Sequence, residues 1–423
     1  MEAHYARSII RSRHGAGFFY VGFSKSILFI FIHVFVFSVI IFIIICVFQE
    51  DDVGATKQHV KTQIEYKRIS RLPIEFQYKD LEKATNNFRY KLGSGGSGAV
   101  YKGKLDDGTS VAVKRVVRPE YGEGEFTAEI TAIAGVDHIN LVRLRGYSTH
   151  MEKGGMQSFF IVYDFYPIGS LEKWIFPKND SPTSPFLSWK SRYEVAVDVG
   201  KALIYLHRQC CQPILHLDLK PENILLEPIC HDIKRKLIHQ AIRIDDVIVE
   251  DLRGILSDFG LSQLMNEEYI RFYPEITRGS PGYMAPEWFS RNGISEKCDY
   301  FSYGKVLLDL FFGQSYVSFD INGNRYDNSC RNSQPEWSDS YKFMQHKLKM
   351  KEIRDLIDKR LTQVEFDMRE ATTLFNAALW CLKENPNDRP GDMQRVVNML
   401  EHLKECCNQP PADLSLPMSS VTA

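Results

Sequence analysis

The sequence lacks both an excess of one charge and a regular framework of cysteines. Lysine and arginine number 52 against 53 aspartates and glutamates, so the net charge of -1 gives no reason to expect a nucleic-acid partner. The nine cysteines are odd in number and irregularly spaced, which is typical of reduced cytosolic thiols and not of a disulfide scaffold. With 44% hydrophobic and 25% charged residues, a largely disordered or polytopic membrane chain is also excluded.

The sequence also lacks a repeated unit, and its 423 residues exceed what one hydrophobic core usually holds. We therefore expect two lobes, or a domain with appendages. The end of the chain, residues 405–423, is rich in proline and serine, and this composition predicts a disordered tail.

One segment has no formally charged residue. It covers residues 27–48, ILFIFIHVFVFSVIIFIIICVF, and about 20 apolar residues are needed to cross the hydrocarbon core of a bilayer. A cleaved signal peptide would have a shorter apolar stretch followed by small residues, whereas four polar residues, 49–52, follow here. The sequence therefore predicts one uncleaved membrane-spanning helix, followed by a polar juxtamembrane linker over residues 49–75. Basic residues flank the helix equally on both sides, so charge alone does not set its orientation.

A glycine-rich stretch, LGSGGSGAVYK over residues 92–102, matches the pattern G-x-G-x-x-G. Dinucleotide-binding folds use the same pattern, but there a helix follows the third glycine. Here the turn Asp106-Asp107-Gly108 separates two strand-like runs, the second being residues 110–114. Strand, loop, strand, turn and strand is the arrangement that lays backbone N–H groups over a nucleoside triphosphate. The loop residues predicted to bind the nucleotide are Leu92, Gly93, Ser94, Gly95, Gly96, Ser97 and Gly98.

Further motifs follow the glycine loop in a fixed order. They are V-A-V-K ending at Lys114, HLDLKPEN over residues 216–223, Asp258-Phe259-Gly260 and Ala285-Pro286-Glu287. Together they resemble the motifs of eukaryotic protein kinases. The phrase FQYKDLEKATNNF just before the loop is similar to the entry to plant receptor-like serine/threonine kinases.

The resemblance extends from about Phe76 to Leu403 and implies an α+β, bilobal protein kinase fold over residues 76–404. The implied N-lobe, about residues 76–163, has a five-stranded antiparallel sheet plus one helix. The implied C-lobe, about residues 167–404, is mainly helical.

The resemblance also implies a set of ATP-binding residues. In that family the lysine of V-A-V-K, here Lys114, holds the α- and β-phosphates and pairs with a helix glutamate. Glu129 is the best-placed partner, with Glu125 and Glu123 as lesser candidates.

The segment FIVYDFY, residues 160–166, would be the hinge beside adenine, with Tyr163 at the mouth of the slot. The Asp164 carbonyl and the Tyr166 N–H would contact adenine. Its apolar ceiling would be Val100 and Ala112, and Leu225 is a candidate floor.

Four residues are implied to carry phosphoryl transfer, a reaction in which the protein positions groups and neutralises charge. Asp218 would accept the hydrogen of the attacking hydroxyl, and Lys220 would stabilise the moving phosphoryl group and favour Ser/Thr acceptors. Asn223 and Asp258 would offer hard oxygen ligands to Mg²⁺, with Mn²⁺ as an alternative ion.

Two departures from the family pattern stand out. Leu217 occupies the position of an arginine that, in many relatives, binds a phosphate on the activation segment. This predicts activity that depends weakly on such a phosphate, unless another cation such as Arg278 replaces the arginine. Candidate acceptors in the segment are Thr277 and Ser280.

The second departure is an insertion, because 35 positions separate Asn223 from Asp258 where the family needs about a dozen. The surplus is residues 228–249, PICHDIKRKLIHQAIRIDDVIV. Three interpretations stay open: a docking helix, a tolerated surface loop, and a translated gene-model artefact such as an unspliced intron.

The motifs lead to the expectation of a single-pass membrane Ser/Thr kinase that phosphorylates protein substrates. Because ATP is cytosolic, the kinase domain would face the cytoplasm, and residues 1–26 would form a short extracellular segment too small to bind a ligand alone. A co-receptor or other membrane signalling partner, and a location at the plasma membrane, are therefore expected. The alternative is a pseudokinase-like membrane scaffold disabled by the insertion.

Overall fold

The computed structural model describes the following residues: 73–95, 98–116, 122–152, 155–176, 186–229, 251–265, 278–290, 293–315, 318–319, 325–326, 337–363 and 366–406. They belong to one compact unit that spans Leu72–Ala423. The predicted extracellular segment and membrane helix, and nearly all of the linker, of the insertion and of the tail, lie outside these residues. Within the part of the chain that the structure describes, no helix is both long and apolar enough to span a bilayer.

The first described residues build a six-stranded sheet, the N-lobe sheet, whose strand order is β1-β5-β6-β4-β3-β2. The strands are β1 (Ile74–Glu75), β2 (Lys91–Gly95), β3 (Gly98–Lys104), β4 (Ser110–Val116), β5 (Leu144–Met151) and β6 (Gln157–Asp164). All neighbours are antiparallel except β1, which lies parallel to β5.

The sheet therefore differs from the predicted five-stranded antiparallel sheet, because β1 adds a sixth, parallel strand at the edge beside β5. The close approach depends on Gly146, where a Cβ atom would lie 2.0 Å from the carbonyl oxygen of Ile74. Covering an edge strand satisfies its backbone hydrogen bonds, and the N–H of Phe76 donates to Tyr147 O at 2.8 Å.

The N-lobe also has two helices where one was predicted. Helix α1 (Tyr78–Ala84) packs on one face of the sheet, and α2 (Gly122–Ile133) contacts β4 and β6. Leu81 of α1 is fully buried in a small core with Val111, Val113, Phe160 and Val162. Because side chains alternate along a strand, this arrangement turns the even-numbered residues of β4, including Lys114, to the opposite face.

The remaining residues form the C-lobe, which is mainly helical as predicted. Its helices are α3 (Glu172–Ile175), α4 (Trp189–Ile204) with a π-helical continuation (Tyr205–Gln209), α5 (Glu296–Phe312), α6 (Trp337–Lys349), α7 (Met368–Cys381) and α8 (Met393–Cys406). Helix α5 is almost wholly buried, and its Tyr303 hydroxyl donates to Ala196 O of α4 at 2.7 Å. This helix is therefore a rigid support for the loops that it contacts.

The described residues of the C-lobe also contain short, antiparallel pairs of strands. They are β7 (Ile214–Leu215) with β10 (Gln263–Leu264), β8 (Ile224–Pro228) with β9 (Leu252–Leu256), and β11 (Ser318–Phe319) with β12 (Arg325–Tyr326).

The register of β8 and β9 corrects the predicted bounds of the insertion. Pro228, assigned to the insertion from the sequence, pairs with Leu252, and the N–H of Ile229 donates to Asp251 O at 3.0 Å. The hairpin therefore continues to residues 229 and 251, and the surplus segment begins beyond them. Sequence alone could not fix this boundary, because the alternatives differ only in strand pairing.

Candidate active site

Lys114 joins two carboxylates at the cleft face of the N-lobe sheet. Its ammonium nitrogen lies 2.7 Å from Glu129 Oε2 on α2 and 2.6 Å from Asp258 Oδ1. The side chains of Lys114 and Glu129 are only 7% and 1% exposed. The structure thus selects Glu129 among the three candidate glutamates as the partner of Lys114 and brings the lysine to Asp258.

The charges of this cluster depend on one another. Burial alone lowers the pKa of Lys114, but the carboxylates of Asp258 and Glu129 outweigh burial and raise that pKa above its usual value. Burial raises the pKa of Asp258, yet Lys114 lowers it more strongly, so that it falls to about 2. For Glu129, burial dominates and keeps the pKa raised. Lys114 and Asp258 are therefore both charged at neutral pH.

Tyr163, predicted to lie at the mouth of the slot, pairs with Ala112 in the sheet and is buried. Its hydroxyl donates to Glu129 Oε1. Ile161 and Tyr163 belong to the main core, whereas Phe160 and Val162 belong to the small core under α1. This alternation along β6 is the signal that could have revealed the orientation of Tyr163.

The catalytic-loop residues converge on the carboxylate of Asp218. Asn223 Nδ2 donates to Asp218 O at 2.8 Å and to Oδ2 at 3.0 Å, and Lys220 Nζ donates to Oδ2 at 2.8 Å. The other carboxylate oxygen, Oδ1, accepts a hydrogen bond from Ser280 Oγ at 2.7 Å. Lys220 Nζ also donates to Ser280 Oγ at 2.6 Å.

The contacts of Ser280 were not predicted from the sequence, although the segment Gly279–Tyr283 resembles the family's platform for the substrate. Ser280 was treated as a candidate phosphate acceptor, whereas its hydroxyl lies against both Asp218 and Lys220. The place of Ser280 between Asp258 and Ala285-Pro286-Glu287 indicated an activation segment, but only the fold shows this contact.

Asp299 of α5 holds the backbone of the catalytic loop. The N–H groups of His216 and Leu217 donate to its two carboxylate oxygens, each at 2.8 Å, and His207 Nε2 lies 2.8 Å from Oδ2. Burial raises the pKa of Asp299, but the hydrogen bond and charge of His207 lower that pKa more strongly. The net pKa of Asp299 is therefore below its usual value. Leu217 takes a left-handed conformation with φ of 65°, and its apolar side chain is buried.

A second buried pair fixes the end of the activation segment. Arg389 Nη1 and Nη2 lie 2.6 and 2.8 Å from the two carboxylate oxygens of Glu287. This buried, bidentate ion pair is a structural feature of the C-lobe.

The two predicted metal ligands lie at the ends of paired strands. Ile224 pairs with Leu256, and the Asn223 carbonyl accepts from the N–H and hydroxyl of Ser257 at 2.8 and 2.9 Å. Asn223 and Asp258 are thereby held at the same end of the β8–β9 hairpin. One amide and one carboxylate fit Mg²⁺, which usually combines few protein oxygens with phosphates and water. Among the described residues there is no cluster of three His, Cys, Asp or Glu side chains that could hold a metal.

The residues predicted to bind the nucleotide lie in both lobes. Val100 is the register partner of Lys114, and Ala112 is two residues before Lys114 on β4, so all three share one face of the sheet. Leu225 lies on β8 of the C-lobe. Leu92, Gly93, Ser94 and Gly95 form the exposed strand β2, and Gly96 and Ser97 lie outside the described residues.

Gly98 has a backbone conformation that favours glycine. Gly98 has φ of 144°, and a Cβ atom there would lie 2.1 Å from Arg115 O, so the position favours glycine.

At the predicted hinge, the Asp164 N–H donates to Arg143 O at 3.1 Å and the Asp164 carboxylate pairs with Arg145. The adenine contacts of the Asp164 carbonyl and the Tyr166 N–H stay predictions.

Comparison with known proteins identifies similar sequences. A family profile described as "Protein kinase domain" matches residues 87–403. The chain is 41% identical to a probable receptor-like protein kinase of Arabidopsis thaliana, over 82% of this chain and 71% of that protein. It is 36% identical to a G-type lectin S-receptor-like serine/threonine-protein kinase and 34% identical to a PR5-like receptor kinase, both of Arabidopsis thaliana. These matches cover 82% and 80% of this chain but only 37% and 45% of the respective relatives.

Proposed function

This chain belongs to the protein kinase family and is an ATP-dependent serine/threonine protein kinase, and on that premise we propose that it is a membrane-bound receptor-like kinase acting in signal transduction. It would transfer the γ-phosphate of ATP to Ser and Thr hydroxyls of protein substrates. The observation that carries this proposal is the hydroxyl of Ser280, which contacts Asp218 Oδ1 at 2.7 Å and Lys220 Nζ at 2.6 Å.

The contacts of Ser280 support a role for Asp218 and Lys220 in binding an acceptor hydroxyl. Asp218 would accept the hydrogen of that hydroxyl and orient its oxygen toward the γ-phosphate. Lys220, which lies beside the same carboxylate, would neutralise charge on the transferred group. Since a serine hydroxyl satisfies both residues in the folded chain, a substrate serine or threonine has the same donor and acceptor groups to offer.

The opposite wall of the site would hold the phosphates. Lys114, kept charged by its two carboxylate partners, would bind the α- and β-phosphates of ATP, and Glu129 would keep the lysine in place. Asn223 and Asp258 would hold Mg²⁺ or Mn²⁺, and the bound ion supplies neutralisation of phosphate charge.

The alternative is a pseudokinase-like membrane scaffold disabled by the insertion. The unbroken pairing of β8 with β9 counts against it, because this pairing keeps Asn223 and Asp258 at the same end of the hairpin. The insertion would leave from the opposite end, beyond Ile229 and Asp251.

The membrane assignment rests on the uncharged segment 27–48 and on the receptor-like relatives. We propose one spanning helix in the plasma membrane, a cytoplasmic kinase domain, and signalling through a co-receptor.

A transfer assay tests the catalytic proposal. The purified full chain in detergent should incorporate radiolabel from γ-labelled ATP on serine and threonine in the presence of Mg²⁺. Asp218→Asn keeps the size of the side chain and removes its charge, and we expect it to lower incorporation by about 10³-fold or more, since positioning and charge supply most of the catalysis. Equal incorporation by the two proteins would contradict the assignment and favour the scaffold.

A further inference from the structure

Helix α2 places two acidic side chains in almost complete burial, one turn apart. Glu129 pairs with Lys114, and Glu125 precedes it by four residues, so the two lie on the same face of the helix. The Glu125 side chain is only 5% exposed. Because this face carries two carboxylates, the position of α2 depends on the cations that meet them.

One cation near Glu125 comes from the activation segment. Arg278 Nη1 lies 3.9 Å from Glu125 Oε1. Arg278 is two residues before Ser280, whose hydroxyl contacts Asp218 and Lys220. One short stretch of chain, residues 278–280, therefore connects α2 in the N-lobe with the catalytic loop in the C-lobe.

The catalytic loop itself offers no guanidinium for ordering the activation segment, because Leu217 is apolar and buried. We propose that the ion pair between Arg278 and Glu125 performs this task instead: it holds the activation segment against α2 and thereby keeps Glu129 in contact with Lys114, without a phosphate. Arg278 and Glu125 are positioning residues in this proposal, which rests on the proposed kinase function.

The electrostatics of the pair support this role. Water screens the attraction weakly at Glu125 because its side chain is nearly buried. Arg278 retains 33% exposure of its side chain, so it can leave the pair without unfolding of either lobe. The Arg278–Glu125 pair can therefore break more easily than the Arg389–Glu287 pair, whose arginine side chain is fully buried.

The test uses the full chain in detergent with charge-reversal variants. Arg278→Glu and Glu125→Arg each place like charges together, and we expect each to lower kcat for peptide phosphorylation by about tenfold or more. The double variant, Glu125→Arg with Arg278→Glu, restores opposite charges and should recover kcat to within about threefold of wild type. Arg278→Lys should retain most of the activity.

A second measurement separates positioning from general stability. Hydrogen–deuterium exchange should increase in residues 122–133 of Arg278→Glu, with an unchanged melting temperature because the Arg278 side chain is partly exposed, and should return to the wild-type level in the double variant. A matched control is Arg253→Gln, which removes a partly exposed ion pair with Glu227 at 3.2 Å on the β8–β9 hairpin. This control should change neither kcat nor exchange in α2.

Several results would overturn the proposal. One is loss of activity in the single variants that the double variant does not recover; another is a fall in melting temperature with unchanged exchange in α2. A hundredfold fall in turnover after phosphatase treatment of the wild-type chain would also overturn it, because a phosphate would then order the segment. If the wild-type chain transfers no phosphate at all, the kinase function fails, while exchange in α2 still decides whether the ion pair positions the helix.

Discussion

Replacing Tyr163 by phenylalanine removes one hydroxyl and little else from the site. That hydroxyl donates to Glu129 Oε1, while Lys114 binds the other oxygen, Oε2. Both Glu129 and Tyr163 are buried, so water cannot easily replace the lost donor. We therefore expect Tyr163→Phe to destabilise the ionised form of Glu129 relative to the protonated form, without creating a cavity.

The magnitude follows from the charge on the acceptor. A hydrogen bond to a charged group contributes about 1.5 to 3 kcal/mol, and 1.36 kcal/mol corresponds to one pKa unit. The bond from Tyr163 lowers the pKa of Glu129 and partly offsets the effect of burial, which raises it. Its removal should therefore raise that pKa further.

The sign determines which limb of the pH profile moves. Only ionised Glu129 pairs fully with Lys114, so activity is lost as the pH falls through the pKa of Glu129. In Tyr163→Phe this loss should begin at a higher pH, and kcat/KM on the acid limb should fall by about tenfold or more relative to wild type. The alkaline limb should stay unchanged.

The assay is steady-state peptide phosphorylation over about pH 5 to 9. Tyr101→Phe is a matched control on the neighbouring strand β3, where the ring of Tyr101 stands edge-on to Phe88. An acid limb that coincides in wild type, Tyr163→Phe and Tyr101→Phe would refute the reasoning, because the Tyr163 hydroxyl would then contribute nothing to the charge of Glu129.

Three further predictions concern the site, the insertion and the topology. Lys114→Ala and Asp258→Ala should each abolish phosphoryl transfer while circular dichroism still reports a folded protein, and autophosphorylation within about tenfold of wild type would contradict the assigned roles. Replacing residues 230–250 by Asn-Gly, a turn suited to joining Ile229 to Asp251, should leave melting temperature and turnover at least as high as in wild type, whereas a lower melting temperature would indicate a helix docked on the C-lobe. A fluorescent tag on the C-terminus should resist external protease in intact cells, and its digestion without permeabilisation would reverse the proposed orientation.

The sequence alone determined the type of each reacting group. Phosphoryl transfer requires a carboxylate near the acceptor, a cation for phosphates and oxygen ligands for a metal, so Asp218, Lys114, Asn223 and Asp258 could be found from short motifs. Glu129 could be ranked above its neighbours only from the resemblance, because Glu125 lies one helical turn away on the same face. The bilobal fold followed from the resemblance that the ordered motifs carry.

The tertiary structure decided which of these groups meet and which other residues join them. The sixth strand, the continuation of the β8–β9 hairpin to Ile229, and the burial of Tyr163 depend on strand register and pairing between distant segments. The contacts of Ser280 with Asp218 and of Arg278 with Glu125 connect residues far apart in the chain. Local sequence specifies the chemistry of a side chain, but its neighbours are set by packing of the whole domain, and for that reason these contacts had no signal in the motifs.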